Sequence, residues 1–175
     1  MANQASNVRV AVSGAFYKAP LATPLPTSAA ATPPLNSAFV DLGYISEDGV
    51  TQTIDADTSD IKAWQNGDIV RTIQTSHKVS YQMTMIETKK EVLELFYSDP
   101  DATATAVKIT GKQAKHETYV LDVLDGDKTV RLVIPDGQVT ERGEVTFKNE
   151  EAIGYQVTIV AYPDNKGVKV YQYMA

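Results

Sequence analysis

Apolar and polar residues alternate along most of this chain with a period of two, the mark of half-buried strands. Val8, Val10 and Val12 alternate with Arg9 and Ala11 and predict a first short strand, ended at Ser13 and Gly14. Residues 50–54, 69–75 and 79–86 read the same way. In the last of these Val79, Tyr81, Met83 and Met85 share one face, and Lys78, Ser80, Gln82 and Thr84 share the other. Further strands are expected at 107–110, 117–124, 129–134, 139–140, 145–147, 153–159 and 168–173. Turn signals separate them: Asp48-Gly49, Asn66-Gly67, Asp125-Gly126, Pro135-Asp136-Gly137 and Asn165-Lys166-Gly167. One stretch changes period. Residues 88–97 place Val92, Leu93, Leu95 and Phe96 on one helical stripe. Thr88 and Glu91 have capping-box spacing, Lys90 and Glu94 form an i,i+4 pair, and Ser98-Asp99-Pro100 stops the helix. Short strands with turns every 8 to 12 residues predict a mainly β chain, an antiparallel sandwich or barrel with the lone helix at an edge or an open end.

Two segments break the pattern. Residues 19–40 carry no charge and hold five of the eight prolines, including Pro24, Pro26, Pro33 and Pro34. Proline fixes φ and cannot donate to a ladder, so this is an extended arm, either a mobile loop or an element that orders on a neighbouring subunit. The second is an excursion over residues 54–70. It holds Asp55, Asp57, Asp60 and Asp68, with Ile61 and Asn66 and the sole tryptophan, Trp64. A tryptophan is usually core, yet one on a polar loop has the character of an interface anchor. Both readings stay open at this stage.

The chain has 175 residues, enough for one domain over 1–175 with a single core. Its net charge of −6 argues against general affinity for nucleic acid or anionic membrane. No cysteine is present, which excludes disulfides, thiolate metal sites and cysteine nucleophiles. The N-terminus lacks the pattern of a secretory signal, and no apolar run reaches the roughly 18 residues of a membrane span, so synthesis and folding in a cytoplasm are expected. No phosphate loop, dinucleotide fingerprint, nucleophile elbow or zincin motif occurs. The two histidines, His77 and His116, sit in polar strand contexts without a nucleophile motif nearby. Asp55, Asp57 and Ser59 faintly suggest a calcium loop, but Asp60 stands where glycine is needed and Asn66 where glutamate is needed. We therefore expect no catalytic residues, no cofactor and no metal. A structural or binding protein remains.

Three runs then carry a resemblance. Residues 58–72 (TSDIKAWQNGDIVRT), 83–97 (MTMIETKKEVLELFY) and 155–164 (YQVTIVAYPD) are similar to runs in the major tail proteins, or tail tube subunits, of long-tailed phages of actinobacteria. The resemblance covers nearly the whole chain. It implies a β-sandwich or half-barrel with one helix on its flank, without the immunoglobulin-like C-terminal domain that many relatives carry. It further implies that six subunits close into a ring, that rings stack into a hollow virion tube, and that the tube conducts the genome without binding it specifically. Implied partners are the chain itself, a tape-measure protein, a tail terminator and tail-tip or baseplate proteins; no membrane is involved. By position, the 54–70 loop would contact the adjacent ring through Asp55, Asp57, Asp60, Ile61, Trp64, Asn66 and Asp68. The arm, with Pro24, Pro26, Pro33 and Pro34, would contact a neighbouring subunit. The face of Lys78, Ser80, Gln82 and Thr84 is a candidate lumen lining. Competing readings are a tube component of a related injection system and a monomeric β-sandwich binding module; a small enzyme fits least.

Overall fold

A computed structural model describes residues 3–4, 7–31 and 34–175. Its organising element is one very long strand. Lys128–Arg142 (β8) runs 15 residues because Leu132, Ile134 and Val139 on one face and Val133 on the other are all buried. The first half of β8 pairs with His116–Asp125 (β7) on one side and with Tyr171–Met174 (β10) on the other. The second half pairs instead with Tyr155–Tyr162 (β9). Outward from β7 come Ser13–Pro20 (β1) and the two-residue Val40–Asp41 (β2). Outward from β9 come Lys78–Met85 (β6) and Ile45–Asp55 (β3). All pairs are antiparallel, and the sheet bends about β8 without closing into a barrel.

The Pro135-Asp136-Gly137 signal is not a turn. It lies inside β8, where the register shifts against β7 between the partners Glu117 and Tyr119. Proline can donate no hydrogen bond to β7, but its carbonyl accepts one from Thr118 Oγ1 at 2.9 Å. A Cβ on Gly137 would lie 2.9 Å from the Tyr119 ring, so only glycine lets the two strands close here. Bulges turn the corners of bent sheets in this way. Asp48-Gly49 is likewise a bulge within β3, with Gly49 at φ +69°, rather than a hairpin.

The bend wraps the two half-sheets around a common core. Phe16, Tyr119, Leu121, Leu132 and Ile134 face Val79, Tyr81, Met83, Met85, Val157 and Ile159. The expected face of residues 79 to 85 is buried as its alternation predicts. Tyr81 is held by Gln52 Nε2 at 2.6 Å, and burial pushes its hydroxyl pKa up to about 12.

Lys90–Tyr97 (α1) closes one end of this core with Val92, Leu93, Leu95 and Phe96. Its start differs from the sequence reading. The N-cap is Lys89, without a side-chain cap, and Thr88 Oγ1 instead lies 3.2 Å from the Tyr155 hydroxyl. Starting one residue late puts Glu91 out of capping-box register. Glu94 does not pair with Lys90 either. It bonds Lys115 at 2.7 Å and lies 3.2 Å from the buried Lys18 ammonium, which Glu117 also approaches at 3.7 Å. Burial alone would raise the Glu94 carboxyl pKa, but the Lys115 bond and the Lys18 charge outweigh it and hold it below its ordinary value. At the other end of α1, Ser98 takes the left-handed conformation and Arg142 donates to the Phe96 carbonyl.

Other expectations shift. The first strand is 13–20, not 8–12. The ladder with β7 covers 13–20, and beyond it the Val12 and Val10 amides reach back to the Leu124 carbonyl and the Asp125 carboxylate. Val8, Val10 and Val12 are exposed. Residues 107–110 and 145–147 are irregular because no strand runs beside them. Asp99 organises the first of these loops by accepting from the Lys108 and Asp101 amides, which holds its pKa low.

Glu94 gives a pH test. A carboxyl whose folded pKa is depressed adds stability that is full above its unfolded value, near 4.5, and is lost as pH falls through the lower folded value. We expect Glu94→Gln to cost about 3 kcal/mol at pH 7, because it strands the buried Lys18 charge. We also expect it to flatten the loss of stability below pH 4.5. Urea midpoints from pH 7 to 3 measure both; an unchanged midpoint at pH 7 would show that Glu117 alone balances Lys18.

Candidate interaction surfaces

The most unusual geometry grows from β3 and β6. Their last pair is Asp55 with Lys78. Three residues after Asp55, Thr58–Lys62 (β4) begins, and it pairs with Ile69–Gln74 (β5) from Thr58 opposite Gln74. The four strands thus form nearly one continuous two-stranded ribbon, rooted in the sheet at one end and free at the other. A joint separates the halves. Ser76 Oγ donates to Asp57 Oδ2 at 2.6 Å, and the Thr75 amide donates to the Asp57 carbonyl at 2.8 Å. What reads in sequence as a loop is therefore a hairpin, and it extends to residue 74 rather than 70.

The hairpin is amphipathic, with nothing beneath it. Ile61 lies opposite Arg71, and Ser59 opposite Ile73, on one face; Asp60 accepts from Thr72 Oγ1 at 2.7 Å on the other. Every residue of β4 and β5 is exposed, including Ile61, Ile69, Val70 and Ile73. The tip is residues 64–67, closed by the Ala63 amide on the Asp68 carbonyl at 2.7 Å. Asn66 and Gly67 both take positive φ, +59° and +69°. Trp64 stands at this tip with 96% of its surface exposed, so the core reading of it is overturned. The acids singled out in the sequence divide by role: Asp57 and Asp60 brace the hairpin, Asp55 ends the ladder, and Asp68 closes the tip through its backbone.

The face of Lys78, Ser80, Gln82 and Thr84 is assembled as the alternation predicts. Thr51 and Thr53 of β3 and Gln156 and Thr158 of β9 extend it on either side. The result is a mainly polar surface, with Lys78 and Asp55 at one end, Glu144 and Glu151 beside Thr84 and Gln156 at the other, and Val160 opposite Ser80. Ser80 is covered, while Lys78 and Gln82 are exposed.

The arm lies against its own subunit. Arg131 and Asp122 pair through two bonds of 2.7 Å on the outer face of β7 and β8, and this pairing raises the Arg131 pKa further. Arg131 Nη1 also donates to the Ser28 carbonyl at 3.0 Å. Ala29 is buried there, and Pro24, Pro26 and Pro34 line a groove beside Arg131. Pro33 lies outside the described residues. Sequence reasoning missed Arg131 as the arm's anchor; its apolar neighbours Val130 and Leu132 were the available hint that it sits in a buried strand.

A chain of an extracellular contractile injection system's sheath-tube complex, in the extended state, matches 99% of this chain with 100% of its own at 7% identity and a TM-score of 0.53. A chain of the anti-feeding prophage cap matches 87% of this one with 93% of its own at 13% identity and a TM-score of 0.49. No curated protein matches the sequence. The family model described as phage tail tube protein matches residues 1–175, and the chain belongs to that family. It is a structural protein of a virion tail tube.

Trp64 and the joint are directly testable. Trp64→Ala should change the stability of the free subunit by less than about 0.5 kcal/mol, as a surface substitution does. A loss of several kcal/mol in urea unfolding would mean that the indole is packed after all. Asp57→Ala should speed amide exchange across β4 and β5 and leave β6 to β9 protected.

Proposed function

We propose that the subunit closes into six-membered rings, that rings stack through the β4–β5 hairpin, and that its work is mechanical rather than chemical. The observation that carries this reading is the hairpin itself. Isolated two-stranded hairpins are marginal in water, and this one presents isoleucines and a tryptophan to it. Such a face gains by docking on a neighbouring ring. The free edge of β3 supports ring closure, because an exposed edge of eleven residues is a template for pairing. The arm, already seated on its own sheet, leaves Pro24 and Pro34 outward for a neighbour.

The polar face around Gln82 is our candidate for the lumen. A lining of threonine, serine and glutamine lets a duplex slide, whereas lysine and arginine would hold it through counterion release. The subunit would be made in the host cytoplasm and assembled around a tape-measure protein, with a terminator at one end and tail-tip or baseplate proteins at the other.

Replacing residues 58–74 by a short glycine-serine linker should leave a folded subunit that no longer stacks, seen as an unchanged urea midpoint and loss of tubes by electron microscopy. Unfolding of the variant would make the ribbon part of the core. Gln82→Arg should permit assembly and slow genome ejection; wild-type ejection kinetics would remove that face from the lumen.

A further inference from the structure

At the end of the ribbon opposite Trp64 the bent sheet has an open mouth. It lies between the start of β1, the end of β7 and the start of β3, the two sides of the sheet that fail to close. Leu121, Val123, Ile45 and Val50 form its apolar wall, Tyr44 stands at the rim with 75% exposure, and Glu47 edges it. The cavity is about 360 Å³. A cavity of about 150 Å³ takes a benzene ring, so this one has room for an indole.

We infer that this mouth receives Trp64 from a second copy of the chain in the adjacent ring. The inference rests on the stacking reading above and names the receptor that stacking would use. Three observations support it. The ribbon ties the two features together: from the Ile45–Met85 pair at the mouth to the Lys62–Ile69 pair near the tip it spans residues 69–85 on one side, roughly 50 Å at strand rise. A compact domain of this length has a radius of gyration of only about 16 Å, so the tip overruns its own body. Tip and mouth face opposite ways along that ribbon, so a copy displaced along it brings one to the other. Their chemistries also match: a fully exposed indole on one side, and on the other an apolar wall with an aromatic at its rim that can stack on it. A second copy is the occupant because every copy carries both parts.

The absence of native cysteine makes cross-linking clean. Gln65→Cys sits beside Trp64 and leaves it intact; Glu47→Cys sits on the mouth. Both positions are exposed, so neither substitution threatens folding. In tubes of the double variant, mild oxidation should give a ladder of dimers, trimers and higher multiples on a denaturing gel, and neither single variant should give one beyond the dimer. A control pairs Gln65→Cys with Lys166→Cys, which lies in the loop near the ribbon's root. Tubes of the Glu47 pair without a ladder would overturn the inference while leaving stacking intact, and a ladder from the Lys166 pair instead would assign the tip to the opposite end of the neighbour. Failure of the wild-type chain to form tubes under any condition, alone or with its nucleating complex, would overturn the stacking reading and this inference with it.

Discussion

Everything in this fold depends on β8 serving two half-sheets at once. A strand of 15 residues that stayed straight would give one flat sheet with a single buried face. Because Pro135 withholds an amide and Gly137 admits the Tyr119 ring, the strand bends at mid-length. β7 and β1 then follow one direction while β9, β6 and β3 follow the other. The core exists only because these two planes fold towards each other, and α1 is needed at the end they leave open. Glu94 ties that helix to Lys18 across the gap, so the closure is electrostatic as well as apolar.

The same bend makes the sheet stop short. β1 and β3 approach without pairing, and the chain between them crosses the gap with the Leu42 amide bonded to the Phe16 carbonyl. Two features follow, a free strand edge on β3 and an apolar mouth beside it. In a monomer both are liabilities. In a ring-forming subunit an unfinished sheet is what allows neighbours to complete it.

How much of this was readable beforehand varies with the physics. Alternation in residues 79–86 and 153–159 and the stripe of Val92, Leu93, Leu95 and Phe96 gave elements close to those observed, because burial on one face writes its period into the chain. Turn chemistry was less reliable. Asp48-Gly49 and Pro135-Asp136-Gly137 carry the local preferences of turns, yet positive φ and a missing amide also suit bulges, and which is made depends on strands far off in sequence. Val8, Val10 and Val12 have a strand's pattern, but the ladder with β7 begins only at Ser13. Trp64 was ambiguous because residue type alone does not say whether a layer lies beneath; at 96% exposure none does. The partner of Arg131, and with it the seat of the arm, was unreadable for a related reason, since a buried ion pair depends on Asp122 standing directly across the ladder.

The ribbon also gives the molecule a direction. Its root and tip are unlike, and repeating it head to tail, on the reading proposed above, cannot produce a stack with equivalent ends. One terminus would present a crown of indoles on projecting hairpins, the other a circle of vacant apolar sockets. A protein that begins such a tube and one that finishes it must therefore bear opposite surfaces, one a socket and the other a plug. Growth by addition to a single terminus, and a fixed orientation of the finished tail, would then be properties written into each subunit rather than imposed by a template.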